Sequence, residues 1–325
     1  MRGMLLGILA SFFFAATFVL NRSMELAGGS WMWSASLRFF FMLPFLLAFV
    51  IAKGKLRPLL QEMKSYPGKW FLWSLIGFGL FYAPLCYAAA YAPGWLVAGT
   101  FQVVVIAGIL LSPLFYETVM TPKGEVQVKS GFQGKALVLS LVILTGVILM
   151  QWEHAKGLDV KDALLGTLPV LVAAFAYPLG NRKMMEVCRE RLDTFQRVLG
   201  MTMASLPLWI GLSIYAWMDG GPPDSSQLTQ SFFVALFSGV IATLLFFRAT
   251  EMVKNNQRKL AAVEATQSGE LIFAVAGERV WLQTPLPTPV SWLGMLLIVG
   301  GMVLHSTVNR RKSGATISAE KKQPS

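Results

Sequence analysis

Charge is scarce in this sequence. Aspartate, glutamate, lysine and arginine make up only 14% of its 325 residues, against roughly a quarter in a soluble domain. Length alone would allow two soluble domains. A hydrophobic share of 55% and a mean hydropathy of +0.57 exclude them, because no soluble core needs so much apolar surface. Cysteine and histidine number only two each. Cys86 falls in an apolar run and Cys188 in a basic loop, which argues against a disulfide and leaves no metal spacing. His154 and His305 close runs on opposite sides of a membrane and cannot share a metal. HExxH, a glycine-rich phosphate loop and any Ser/His/Asp grouping are missing, so nucleophilic, metal and ATP-driven chemistry lack their parts. The reading is no enzyme and no cofactor.

What is present is a succession of ten apolar runs, approximately residues 3–20, 31–51, 70–89, 96–116, 135–151, 163–181, 195–217, 231–249, 260–277 and 287–305. Each is close to the ~20 residues that a helix needs to cross the hydrocarbon of a bilayer. The basic residues alternate between the gaps. With a cytoplasmic N-terminus, about 23 of the 28 lysines and arginines lie inside, four (Arg22, Lys156, Lys161 and Arg279) lie outside, and Arg38 sits within a run. The positive-inside rule then sets topology and orientation, with both termini in the cytoplasm. The net charge of +11 follows from this sorting toward an anionic leaflet and needs no nucleic-acid partner. Trp31, Trp33, Trp70, Trp73, Trp95, Trp152, Trp217 and Trp281 fall at or near run ends, where indole prefers the headgroup level. Residues 1–20 could pass for a secretory signal. They lack a good small-x-small cleavage site and are read as a retained helix.

An internal repeat runs through the chain. Leu5-Leu6-Gly7-Ile8-Leu9 is echoed by Leu164-Leu165-Gly166-Thr167-Leu168, and Asn21-Arg22-Ser23-Met24 by Asn181-Arg182-Lys183-Met184. Leu43-Pro44 is matched by Leu206-Pro207, and Gly108 with Glu117 by Gly269 with Glu278, in the same order along both halves. Five spans per half is an odd number, so the second half enters the membrane from the opposite side. Inverted halves of this kind suit a secondary transporter. The expected architecture is all-α and integral to the membrane, with ten transmembrane helices as two inverted five-helix repeats. Residues 1–151 form the first repeat, 152–308 the second, and 309–325 a disordered cytoplasmic tail.

These motifs, with Leu245-Phe246-Phe247-Arg248-Ala249, the stretch Glu264-Ala265-Thr266-Gln267-Ser268-Gly269-Glu270, Gly277-Glu278 and Gly300-Gly301, resemble the drug/metabolite transporter superfamily. The likeness is to ten-helix members with two EamA-type repeats, in the branch of multidrug-resistance efflux transporters, and it covers about residues 3–306. It implies alternating access in a bacterial-type inner membrane and proton-coupled efflux of amphipathic or cationic compounds, by a monomer or homodimer. An uptake or exchange carrier for amino acids or other metabolites is the alternative, with a membrane enzyme or sensor behind it. Two departures stand out. The connection from Glu117 to Lys135 is long for the family and reads as a surface insertion. The first helix lacks the embedded glutamate that four-helix relatives use for drug export, so their mechanism does not transfer directly.

Candidate site residues follow from cost. A charge at mid-bilayer costs roughly 2.5–3.5 kcal/mol, so an acid there should serve a purpose. Glu264 and Glu270 on the ninth span are the candidates for proton or cation coupling, or else structural carboxylates paired with Arg38. Arg38 is read as neutralising one of them or as binding an anionic substrate group. Gln102 and Gln267 hold comparable places in the two repeats, where their amides would line opposite walls of one cavity or merely bond between helices. Tyr177 is a further polar group within a span. Glu251, Glu117 and Glu278 fall at helix ends, where water or a cap would satisfy them. Gly3, Gly7, Ser11 and Ala15 form a stripe for close helix packing. Prolines within the spans are candidate flex points.

Overall fold

A computed structural model of the chain describes residues 2–121, 124–129, 134–189, 191–253, 262–263 and 265–320. The described residues are helical apart from one hairpin and the connecting turns. The first half comprises α1 (Arg2–Leu26), α2 (Trp31–Ala52), α3 (Leu56–Ser65), and α4 (Pro67–Ser74) running through a π-helical turn (Leu75–Gly79) into α5 (Leu80–Tyr91). It continues with α6 (Gly94–Phe101), α7 (Val104–Leu110), strands β1 (Tyr116–Thr121) and β2 (Gly124–Lys129), and α8 (Gly134–Ala155). The second half holds α9 (Val160–Cys188), α10 (Thr194–Gly220), and α11 (Ser225–Val234) continuing through a π-helical stretch (Ala235–Ala242) into α12 (Thr243–Glu251). A 3-10 turn (Thr266–Ser268) leads into α13 (Gly269–Trp281), and α14 (Pro289–Glu320) ends the described chain.

Seven segments among the described residues are long and apolar enough to cross a membrane: Arg2–Leu26, Trp31–Ala52, Pro67–Tyr91, Leu137–Ala155, Val160–Cys188, Thr194–Gly220 and Ser225–Glu251. Gly94–Leu110 and Pro289–Leu304 are shorter apolar segments. Large apolar side chains project outward along them, among them Leu5, Val138, Ile148, Leu168, Ile214 and Leu296, which only a lipid solvent would tolerate on such a scale. This is an integral membrane protein.

Several boundaries differ from the sequence expectation. The first helix runs to Leu26 rather than stopping at Leu20, so Asn21 is buried instead of turning in water. The fourth run is two short helices, interrupted at Gln102–Val103 and finished by Leu110. The insertion after it folds as an antiparallel hairpin, in register from Tyr116 opposite Lys129 to Thr121 opposite Gly124. The second strand's sequence suits this, since Val126 and Val128 alternate with Glu125, Gln127 and Lys129. The last helix runs to Glu320, within the segment read from composition as disordered.

Local chemistry sets the helix ends. Ser30 caps α2 by accepting the Met32 N–H. Arg189, at φ 43°, closes α9 in the left-handed region. Asp193 and Gln196 form a capping box at the start of α10, and Asp193 also meets Lys55 at 2.7 Å. Burial opposes ionisation of the Asp193 carboxylate, but the Lys55 ammonium and the backbone N–H groups of Gln196 and Phe195 outweigh it and hold its pKa below the ordinary value. A lowered native pKa contributes stability that is complete above the unfolded-state value of about 4 and vanishes as pH falls through the native one. Asp193→Ala is therefore expected to cost about 1 kcal/mol at pH 7. The difference from wild type should close on acidification, as followed by thermal unfolding in detergent.

Packing follows small residues. The predicted stripe on α1 meets the second half: a Cβ on Gly7 would lie 2.4 Å from Thr266 Oγ1, and one on Gly269 2.9 Å from Ser11 Oγ. α1 packs on the Ser225–Glu251 segment and on α13, while α9 packs on the Pro67–Tyr91 segment and on α6 and α7. α2 lies against α10, and α8 against α14. In the last pair a Cβ on Gly146 would lie 2.5 Å from the Gly294 carbonyl oxygen, and one on Gly294 2.6 Å from that of Gly146. The aromatic centre is Phe39, stacked on Trp209 at 4.3 Å with an interplanar angle of 9° and edge-on to Tyr82.

Candidate functional site

Arg38 lies inside α2, and its guanidinium turns toward the other helices. Nη1 donates to Thr17 Oγ1 of α1 at 3.3 Å, and Nη2 donates to Ser238 Oγ, in the π-helical stretch between α11 and α12, at 3.1 Å. Its Cζ stands 4.1 Å from the centroid of the Tyr82 ring, a cation–π contact strengthened by the low dielectric. Buried Asn21 extends the cluster, with Nδ2 donating to the Tyr82 hydroxyl at 3.2 Å and to Cys86 Sγ at 3.4 Å.

The expected pairing of Arg38 with Glu270 is not found. Among the described residues the ion pairs are Lys55–Asp193, Lys156–Glu153, Lys183–Glu186 and Arg191–Glu62, none of which involves Arg38. Glu264 lies outside the described residues.

Glu270 occupies the first turn of α13 and is 8% exposed. A carboxylate at that end of a helix is favoured by the aligned peptide dipoles. Gly269 touches Ser11, which sets this part of α13 about 9 Å along α1 from Thr17 and so from the level of Arg38. Tyr177, on α9, joins the two regions. It is 40% exposed, its ring packs against Phe81 at 4.7 Å and Phe101 at 6.1 Å, and Glu270, Arg197 and Arg38 are all within electrostatic reach. Phe81 and Phe101 pack on the ring and leave part of it accessible.

The two glutamines mark interruptions. Gln102, 3% exposed, sits where α6 gives way to α7, with its amide nitrogen 3.4 Å from the Ala98 carbonyl. Gln267 is half-buried in the 3-10 turn ahead of α13. Irregular backbone at membrane depth is tolerated only where protein or a water-filled cavity satisfies it, and transporters build binding sites from such broken helices. Thr17, Asn21 and Ser238 were not expected at the site. Hydroxyls and an amide that serve a distant arginine leave no local pattern, although Asn21 belongs to the repeated Asn-Arg pair.

Glu278 takes the cap role, one of the two alternatives expected of an acid at a helix end. It is not solvated but fully buried, and its Oε1 accepts the Gly94 N–H at 2.6 Å, capping α6 from the end of α13. Glu278→Ala would strand that N–H in the interior, and a loss of about 1–3 kcal/mol is expected in thermal unfolding. Glu278→Gln keeps an acceptor and should lose much less. A separate cavity of about 400 Å³, wholly apolar, is bounded by Trp31, Leu75, Pro84, Tyr87, Pro169 and Leu208. It includes none of the polar residues above.

The profile of a protein family described as "Putative multidrug resistance efflux transporter" (EmrE) matches residues 1–311. The chain belongs to that family. Relatives of this EmrE-family chain are similar over most of its length. "Uncharacterized protein YjlA" of Bacillus subtilis (strain 168) is 55% identical over 306 residues, 94% of each chain. "Uncharacterized 42.1 kDa protein in intracellular alkaline protease 3'region" of Shouchella clausii is 50% identical over 270 residues, covering 83% of this chain and 70% of that one. A solved crystal structure shares the fold with a TM-score of 0.62 and 14% identity, over 95% of this chain and 98% of the other.

Proposed function

We propose that this EmrE-family chain is a secondary active transporter that exports small amphipathic organic solutes by alternating access, with Glu270 carrying the coupling proton. The reading assigns ten spans, both termini in the cytoplasm of a bacterial-type cell, and two inverted repeats facing each other across a central cavity. Symmetric packing supports the repeats. Exchanging the halves turns the contacts of α1 with the Ser225–Glu251 segment and α13 into those of α9 with the Pro67–Tyr91 segment, α6 and α7. The same exchange relates the two π-helical stretches, Leu75–Gly79 and Ala235–Ala242. A Cβ on Gly77 would meet Met201 of α10, and one on Gly239 would meet Met42 of α2. The interruptions at Gln102 and Gln267 correspond in the same way.

The observation that carries the reading is Glu270, a buried acid beside a broken helix and within electrostatic reach of the accessible Tyr177. Protonation removes a charge that costs roughly 2.5–3.5 kcal/mol at this depth, enough to bias which side the cavity faces. In proteoliposomes, a gradient of a solute such as tetraphenylphosphonium or an aromatic acid or amine should drive proton movement that stops when the solute gradient is dissipated. A panel of such solutes that moves no protons would remove the proposal. The metabolite-carrier reading gains from the company Arg38 keeps, hydroxyls and a ring.

A further inference from the structure

A membrane-buried guanidinium is ordinarily matched by a carboxylate, because the desolvated charge has to be met by something. Arg38 is matched differently among the described residues. Thr17 and Ser238 hydroxyls take two of its N–H groups, and the Tyr82 face takes its plane. The Nε is sealed from solvent and has no hydrogen-bond partner among the described residues. These contacts orient the fork without neutralising it. Hydroxyl partners are dipoles that hold a positive charge in place and leave its field intact, which suits a group that receives an anion only when the site is loaded.

The surroundings point the same way. Arg197, half-buried at the start of α10, is a second guanidinium within electrostatic reach of Tyr177. Among the described residues, two arginines therefore act on Tyr177 against one acid, Glu270. A lipophilic cation would gain from the acid and be opposed by both arginines. Phe81, Phe101 and Tyr177 supply a mutually packed aromatic wall, with centroids 4.7–6.1 Å apart, onto which a flat apolar body can stack.

We propose that the transported solute bears an oxyanion, a carboxylate or its equivalent, which docks on Arg38 while its flat apolar part lies against Phe81, Phe101 and Tyr177. This rests on the transport reading above and narrows its substrate. A solute that also carries an amine would place it toward Glu270, making an amphoteric aromatic molecule the best match.

Three probes with one skeleton separate the charges: 3-phenylpropanoate, phenethylamine and phenylalanine. Their binding to the purified full-length protein would be measured by calorimetry in nanodiscs. Wild type should bind the two carboxylates. Arg38→Gln should weaken both by about tenfold or more while phenethylamine changes less than about twofold. Should Arg38→Gln fail to fold, Thr17→Val with Ser238→Ala frees the fork without removing its charge, and the same selective loss is expected. Equal weakening of all three probes, or binding of phenethylamine alone, would overturn the assignment, as would no binding at all. If tetraphenylphosphonium drives proton flux while the carboxylates do nothing, the anion site falls and the transport reading stands. If no compound moves protons, both fall.

Discussion

Gly180→Val is expected to abolish recovery of folded, monodisperse protein. A Cβ at position 180 would lie 2.3 Å from both the Cα and the N of Gly77 and 2.8 Å from the Trp73 carbonyl oxygen. All three are backbone atoms, so no rotamer change relieves the clash, and the helices α9 and α4–α5 must separate. The contact lies beside the π-helical turn Leu75–Gly79, which already departs from regular hydrogen bonding. Overpacking a well-packed interior typically costs about 1–3 kcal/mol, occasionally more. Here the displaced element is a whole span, and the loss should exceed that range. Gly211→Val is the control: it lies on α10 with open space around its Cβ position, and it should express near the wild-type level. Size-exclusion profiles of the two variants decide the matter, since comparable yields would mean that close approach at Gly77 contributes little.

Glu270→Gln should abolish substrate-driven proton movement while leaving binding of an aromatic carboxylate within about threefold. Glutamine keeps the shape and much of the hydrogen bonding but cannot exchange a proton, so the cavity loses the charge difference that distinguishes its two facings. A drop in flux of about a hundredfold corresponds to removing roughly 2.7 kcal/mol of bias, close to the 2.5–3.5 kcal/mol that an uncompensated mid-membrane charge carries. Glu270→Asp shortens the side chain and retains the proton, and it should keep a measurable fraction of the flux. If Glu270→Gln couples as well as wild type, the proton rides elsewhere. Glu264 is then the next group to replace.

Much of this architecture is legible because bilayer insertion is a local, nearly additive property. Apolar run length and the side on which lysine and arginine accumulate can be counted residue by residue. The errors fall where a polar group is satisfied from far away in the chain. Asn21-Arg22 falls just past the first apolar run, yet Tyr82 and Cys86 take the Asn21 amide, and the Ala89 and Ala90 carbonyls accept from Arg22 at 2.7 and 3.0 Å. α1 therefore continues to Leu26. Glu278 reads as solvated or capping, and only the fold chooses the cap, since the N–H it accepts belongs to Gly94, 184 positions earlier.

The amino-acid order alone settled that this protein lives in a bilayer, roughly where its helices begin and end, and which few polar groups are costly enough to matter. It did so because the free energy of placing each side chain in hydrocarbon hardly depends on its neighbours. The tertiary structure alone decided which of those groups meet. Arg38 faces hydroxyls and an aromatic ring instead of Glu270, and Gln102 and Gln267 stand where regular α-helix is interrupted. Electrostatic and hydrogen-bond partners are chosen by distance in space, and in a folded bundle that distance is set by the packing of small residues between helices.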